Sequence, residues 1–316
     1  MKILVTDEIA EEAMNKLKEK HEVVFQELRG EELKKEIGNY DALMVRSATK
    51  VTKDIIQAAE RLKVIGRAGV GVDNIDVEEA TKKGIIVVNS PTGASISVAE
   101  LTIGHMISLA RHLTKADKTM KEGIWAKKQL KGRELYGKVI GIVGCGNIGK
   151  VVAKYAKAFN MEVIGYDPFL SKEEMERHGI KKVDSLEELM KTADFVSLHI
   201  PHIPQTHHLI NEKMLSLMKP TAYLINCARG GIVDEKALYE ALKEKKIAGA
   251  ALDVYEKEPP EKSPLFELEN VVFTPHLGAS TVEGQIRAGV ICAEQILKVL
   301  DGEEPDYWVN RKAMKS

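Results

Sequence analysis

Three glycines, Gly144, Gly146 and Gly149, follow an apolar, β-branched run from Val139 to Val143. After them come Val151, Val152, Tyr155, Ala156 and Phe159 at helical spacing, then a second apolar run, Met161 to Tyr166, that ends in Asp167. In a strand–turn–helix unit each glycine has a task. Gly144 permits the tight turn, Gly146 lets backbone approach a pyrophosphate, and Gly149 lets helix and strand pack closely. Amides and the dipole at the helix start attract phosphate oxygens. Asp167 lies 18 residues past Gly149 (167 − 149), close to the roughly 20 expected of a carboxylate that binds a ribose. A carboxylate there repels a 2′-phosphate, so the pattern predicts NAD rather than NADP. A lone glycine triplet can be an ordinary turn; here strand, glycines, helix, second strand and acid fall in the required order.

A dinucleotide that exchanges hydride with an alcohol carbon needs three more groups: a base for the hydroxyl proton, a group that orients the base, and a cation for an anionic substrate. Most of the nine histidines have ordinary readings. His105 and His112, seven apart, share a face of one predicted helix, and His21 and His178 sit in charged, surface-like segments. His207 and His208 lie in a polar loop; a metal there would need further ligands to which the sequence does not point, and no metal is expected. His276 differs by position. It lies in VVFTPHLGAST, just past a buried strand run, and parallel sheets place ligands beyond the carboxyl ends of their strands. Arg229 is placed alike, after the run Tyr223–Asn226 and before Gly230 and Gly231, although an arginine there is as readily a structural ion pair. Glu258 follows the run Ala248–Leu252 and Asp253 in DVYEKEPP, where spacing does not separate it from Glu256. Cys145 and Cys227 read as small apolar packing residues rather than reactive thiols.

The elements that must position these groups alternate. Before the glycines, strand candidates are Ile3–Thr6, Glu22–Phe25, Ala42–Arg46, Val64–Arg67 and Ile85–Asn89, with Lys- and Glu-rich amphipathic segments between them. After Asp167 they are Phe195–His199, Tyr223–Asn226, Ala248–Leu252 and Val271–Thr274. Alternating strands and helices predict an α/β protein with parallel sheets covered on both faces. A helical pattern from Ser95 to about Glu122, capped by Ser95 or Ser97 and stopped by Gly123, reads as a connector. The runs after Lys138 supply the six strands of a doubly wound sheet, which leaves the last helix, Val282 to Leu300, and a polar tail unassigned. We therefore expect two doubly wound parallel-sheet domains: a Rossmann domain, residues 96–284, inserted in a discontinuous flavodoxin-like substrate domain, residues 1–95 plus 285–316. A cleft between them would hold the substrate.

Composition narrows the class. The chain has 316 residues, is 44% hydrophobic and carries a net charge of −1 with both signs interspersed. That argues against a nucleic-acid partner. The most apolar helical run, Leu101 to Ala110, is too short to cross a membrane, so no membrane partner is expected. Three scattered cysteines predict no disulfide framework, and the start MKILVTDE reaches acidic residues too early for a signal peptide. A cytoplasmic protein fits.

Seven blocks, VRSATKVT, GRAGVGVDNID, SVAELT, GCGNIG, NCARGGIVDE, GAALDVYEKEPP and FTPHLGAST, occur in that order and cover essentially the whole chain. Together they resemble the signature blocks of the D-2-hydroxyacid dehydrogenases. The first, second and fifth are most similar to the branch that oxidises 3-phospho-D-glycerate (3-phosphoglycerate), the first step of serine synthesis. Other branches reduce glyoxylate or hydroxypyruvate, and a corepressor branch binds NAD and protein partners.

The resemblance implies that His276 exchanges the substrate proton, that Glu258 orients the imidazole, and that Arg229 grips the carboxylate. It implies pyrophosphate contacts at Gly144, Gly146, Asn147, Ile148 and Gly149, the ribose at Asp167, and a cofactor path along Ile200, Cys227, Ala228 and Asp253, with Val70, Gly278 and Ala279 nearby. Arg46, Ser47, Arg67 and the backbone at Gly69 and Val70 would face the substrate, with Arg46 and Arg67 as phosphate candidates or domain-internal ion pairs. It also implies a homodimer or homotetramer, through an arm of Lys127, Lys128, Lys131 and Arg133 around Trp125 and Leu130; the alternative for that stretch is a solvated face. The chain ends soon after its last helix, so the carboxy-terminal regulatory domain of longer members is not expected.

Overall fold

The computed structural model describes residues 1–315. It divides into two compact units: Met1–Ser95 with the stretch from Ala279 onward, and Ile96–Gly278.

The first unit holds β1 (Lys2–Val5), β2 (Glu22–Phe25), β3 (Ala42–Val45), β4 (Val64–Arg67) and β5 (Ile86–Asn89). They pair in the order β2-β1-β3-β4-β5, every pair parallel. This is the flavodoxin-like order. Near-continuous apolar runs such as ALMV suit strands buried on both faces. One face packs Leu4, Leu43, Val45, Ile65 and Val87 against Leu33, Ile37, Ile55 and Ile56. The other packs Ile3, Val5, Met44, Val64 and Val88 against Ala13 and Leu17, and against Cys292, Ala293, Ile296 and Leu297 of the helix Val282–Leu300. A Cβ on Gly66 would fall 2.5 Å from Ile296 Cδ1 and 2.8 Å from Cys292 Sγ, so that helix presses directly on β4.

The tail returns to the edge of the same sheet, where Trp308 bridges Val88 antiparallel. Asn310, 4% exposed, receives the Val87 N–H at 2.9 Å through Oδ1 and donates through Nδ2 to the Ile85 carbonyl at 2.9 Å and Thr81 Oγ1 at 3.0 Å.

The second unit holds β6 (Val139–Val143), β7 (Glu162–Tyr166), β8 (Lys181–Lys182), β9 (Phe195–Leu198), β10 (Tyr223–Asn226), β11 (Gly249–Leu252) and β12 (Val271–Phe273). The order β12-β11-β10-β9-β6-β7-β8 is again wholly parallel and is that of a doubly wound Rossmann sheet. The sheet has seven strands rather than six. β8 is a pair of lysines at the sheet edge, too short and too polar to show a period, which is how edge strands avoid pairing with other chains.

The connector is not one helix. Ser95–Arg111 and Leu113–Lys121 are separated by His112 in the left-handed region, φ 54°. His105 and His112 therefore do not share a helix face. His105 is buried, and its Nε2 lies 3.1 Å from Thr274 Oγ1. His21 sits half-buried in the exposed, charged segment that the sequence suggested, with both its ring nitrogens shielded from solvent. Gly123, φ 75°, follows the second helix as expected. No helix among the described residues is long and apolar enough to cross a membrane.

Candidate functional site

In the second unit, every candidate residue follows the carboxyl end of a strand. β6 runs into Gly144, whose φ of 89° forms the turn. A Cβ on Gly144 would fall 2.5 Å from the His199 carbonyl oxygen and 2.7 Å from Ile200 Cγ2. Only glycine fits, and Ile200 therefore packs on the turn. β6 and β9 are neighbours at the point where the strand order reverses, which is where doubly wound sheets take their ligand.

The helix Asn147–Ala158 opens on Gly146, with Asn147, Ile148 and Gly149 in its first turn. A Cβ on Gly149 would overlap the Gly144 carbonyl oxygen, which is the close helix–strand packing expected. A Cβ on Gly146 would meet nothing within 4 Å, so the backbone there is open to a close ligand. These residues fit a dinucleotide pyrophosphate. Asp167, at the end of β7 and 9% exposed, accepts from the Cys145 N–H through Oδ2 at 3.0 Å and from the Phe169 N–H through Oδ1 at 2.9 Å. The carboxylate is thus fixed to the glycine turn. Cys145 and Cys227 are buried, and burial pushes each thiol up to about 12. Both remain protonated at neutral pH and serve as packing residues.

His276 and Glu258 meet. Glu258 Oε2 lies 2.6 Å from His276 Nδ1, and Glu258 Oε1 accepts from the Tyr255 N–H at 3.1 Å. His276 holds a left-handed backbone, φ 54°, a conformation that a non-glycine residue keeps only when its surroundings enforce it. Asp253, fully buried after β11, does this. Its carbonyl receives the His276 N–H at 2.8 Å, Oδ1 receives the Leu277 N–H at 2.7 Å, and Oδ2 receives the Gly278 N–H at 2.8 Å. Thr274 Oγ1 also donates to Oδ1 at 2.5 Å. The sequence placed Asp253 on the cofactor path and gave no sign of this loop-shaping role.

Arg229 is presented by the end of β10. Asn226, 1% exposed, accepts the Ala228 N–H at 3.0 Å and donates to the Arg229 carbonyl at 2.9 Å, fixing that loop with one side chain. Sequence reasoning passed over Asn226 as a strand residue, although an amide ending an apolar run was a signal. The Arg229 guanidinium donates to the Ala228 carbonyl at 2.7 Å. A Cβ on Gly230 would overlap the Tyr255 carbonyl oxygen, so the loop carrying Arg229 lies directly on the loop carrying Glu258.

The remaining candidates belong to the first unit. Arg46 and Ser47 follow β3, Arg67 ends β4, and Gly69 and Val70 come next. Asp7, 4% exposed and paired with Arg29 at 2.6 Å, accepts the Arg46 N–H at 2.5 Å and the Thr49 hydroxyl at 2.9 Å. The Arg46 guanidinium donates to the Glu8 carbonyl at 3.0 Å. The Arg67 guanidinium occupies the space a Gly69 side chain would need, and the Gly69 and Val70 carbonyls accept from Ser90 and Asn89. Ala279 is exposed and falls within this unit.

The profile of the D-isomer specific 2-hydroxyacid dehydrogenase NAD binding domain matches residues 103–278. The chain belongs to this family. A D-3-phosphoglycerate dehydrogenase of Methanocaldococcus jannaschii is 57% identical over 311 residues, 98% of this chain and 59% of that protein. A hydroxypyruvate reductase of Thermotoga maritima is 48% identical over 304 residues, 95% of this chain and 98% of that protein. Among solved structures, a glyoxylate reductase from Paecilomyes thermophila superposes with a TM-score of 0.90 at 30% identity, covering 99% of both chains. This D-2-hydroxyacid dehydrogenase chain thus spans about three fifths of the archaeal relative and nearly all of the bacterial one.

Proposed function

We propose that this chain is an NAD-dependent D-2-hydroxyacid dehydrogenase that oxidises 3-phospho-D-glycerate to 3-phosphohydroxypyruvate, the first step of serine synthesis. The observation that carries the proposal is the 2.6 Å contact between His276 Nδ1 and Glu258 Oε2, on a loop in contact with the one that presents Arg229. When bound, NAD supplies the hydride acceptor. Glu258 accepts the Nδ1–H and leaves Nε2 as the basic nitrogen, which takes the proton from the C2 hydroxyl; the carboxylate then faces the imidazolium that forms. Arg229 holds the substrate carboxylate through its planar fork. Asp253 keeps His276 in place, and Asp167 favours NAD over NADP.

Arg46 and Arg67 are the proposed phosphate ligands, with Ser47 and the Gly69 and Val70 backbone beside them. Ile124 and Trp125, 52% and 77% exposed, lie on the proposed contact of a homodimer or homotetramer. Three free, buried cysteines and the lack of a membrane-spanning helix among the described residues support a cytoplasmic protein.

A second reading, reduction of hydroxypyruvate or glyoxylate by the same groups, is favoured by the Thermotoga relative, which matches over nearly its full length. Initial rates with NAD and 3-phospho-D-glycerate, beside NADH with hydroxypyruvate and with glyoxylate, separate the two. A kcat/KM at least tenfold higher for the phosphorylated pair supports the first reading. Equal or better rates on the unphosphorylated acids support the second and demote Arg46 and Arg67 to structural residues. No turnover on any of them refutes both.

A further inference from the structure

A second constellation of side chains lies in the Rossmann unit, apart from the His276–Glu258 pair. His208 lies between β9 and the helix Glu212–Leu217, Asp234 caps the helix Glu235–Lys243, and Glu256 sits in the loop after β11. Spacings of 26 and 22 residues hide the grouping in the sequence, where His207 and His208 lacked further ligands. The fold supplies them. One donor atom from each of His208, Asp234 and Glu256 lies within 4.8 Å of the others. His208 Nε2 is 2.9 Å from Glu256 Oε1, and His208 Nδ1 is 4.0 Å from Asp234 Oδ2.

The backbone holds the three side chains in this arrangement. The His208 N–H donates to the Gly231 carbonyl at 2.8 Å, the Ile210 N–H to the Ile232 carbonyl at 3.0 Å, and the Asp234 N–H to the Ile210 carbonyl at 3.1 Å. The Glu256 N–H donates to Glu235 Oε1 at 2.8 Å, and the Glu235 N–H to Glu256 Oε1 at 3.2 Å. Asp234 spends Oδ1 on the helix cap, which leaves Oδ2 for another partner. The His207 ring stacks on His208 at 4.0 Å between centroids and contacts His202 Nε2 at 3.1 Å through Nδ1. That stack limits rotation of the His208 ring.

The charge around the cluster is unbalanced. Three carboxylates, Asp234, Glu235 and Glu256, surround one imidazole, and among the described residues no lysine or arginine pairs with them. A divalent cation would neutralise two and would use the imidazole lone pair.

One nitrogen and two carboxylate oxygens form a donor set that suits Zn²⁺. With bonds of about 2.0–2.2 Å, tetrahedral ligand atoms lie about 3.3–3.6 Å apart, and the three donor atoms, one from each side chain and all within 4.8 Å of one another, are a small side-chain rotation from that spacing. We propose that His208, Asp234 and Glu256 bind one divalent transition-metal ion, zinc matching best, with solvent completing its coordination. The ion would join three loops: the one after β9, the one that follows Arg229, and the one that carries Glu258.

The test is binding, and it is independent of turnover. Chelator-treated protein is titrated with ZnCl₂ by calorimetry, and CoCl₂ reports on geometry through its visible absorption. The expected result is one saturable equivalent, an intense tetrahedral-type Co²⁺ band, and a thermal midpoint that rises with Zn²⁺. His208→Ala should abolish all three, and Glu256→Gln and Asp234→Asn should each weaken binding at least tenfold. Asparagine keeps the helix cap and glutamine keeps the acceptor for the Glu235 N–H, so both variants should fold normally without metal. His202→Ala should leave affinity within threefold. Absence of saturable binding overturns the proposal. So does binding that survives His208→Ala or is lost only with His202→Ala.

Discussion

Glu258→Gln is the sharpest test of the proposed chemistry. The amide has the size of the carboxylate and can still accept from the Tyr255 N–H through its oxygen. It removes the negative charge beside the His276 ring and puts an NH2 donor where Oε2 stands, 2.6 Å from Nδ1, which favours the tautomer that carries its proton on Nε2. In the proposed chemistry, oxidation of the hydroxy acid creates an imidazolium at His276, so the charge part of the lost energy is the attraction between that cation and Glu258. For charge centres about 4 Å apart it is about 4 kcal/mol at an effective dielectric of 20 and about 1 kcal/mol in bulk water. The two side chains are 47% and 35% exposed, which places the pair between those limits, at about 1–3 kcal/mol. Each 1.36 kcal/mol is tenfold in rate, so loss of the charge alone lowers kcat roughly 5- to 150-fold, and the unfavourable tautomer lowers it further. The assay is steady-state turnover in both directions, with NADH affinity measured by fluorescence. NADH binding should stay within twofold, because Glu258 contacts His276 and not the glycine turn. A fall in kcat below twofold, or one matched by an equal loss of NADH affinity, would exclude Glu258 as the charge partner of His276 in turnover.

Asn310→Ala should destabilise the first unit by about 2–4 kcal/mol in urea unfolding, since it leaves the Val87 N–H and the Ile85 carbonyl without their partner. A loss under 0.5 kcal/mol would show that water replaces the amide. His199 should make the protein less stable in acid. Burial pushes its pKa down to about 3, so between about pH 6.5 and 3 the unfolded chain binds a proton that the folded chain refuses. That stability is complete above pH 6.5 and declines as the pH falls, by up to about 1.4 kcal/mol per pH unit. His199→Gln should flatten the change in urea midpoint between pH 7 and 5, and an unchanged slope would exclude His199 as its source.

The parts legible in the sequence are those where geometry admits one residue type or one pattern. Gly144 and Gly149 stand where a Cβ would meet backbone, that of His199 after β9 for Gly144 and that of the glycine turn for Gly149, so the fingerprint marked its own fold. The apolar runs of β3, β9 and β10 are buried at every position, and such runs suit a parallel sheet. The choice between Glu256 and Glu258 was not legible, because both occupy an irregular loop with no period. The fold separates them by partner: Glu258 meets His276 and Glu256 meets His208. The break at His112 was hidden because the residues on either side keep helical spacing. Asp253 and Asn226 were only partly legible for a different reason. Each acts on the backbone of its neighbours, and a side chain that shapes a loop leaves no mark on residue spacing.

The first unit also sets an order of events during synthesis. The face of its sheet that carries Ile3, Val5, Met44 and Val64 is completed by Cys292, Ala293 and Ile296. Between the two stretches that build the unit lie residues 96–278. At ~5–20 residues per second, the early strands would wait on the order of ten seconds or more for the helix that covers them. The inserted unit is contiguous and can fold within that interval. The nascent chain therefore carries an incomplete sheet past a finished one, and that interval, rather than the mature protein, is when a chaperone would be of most use.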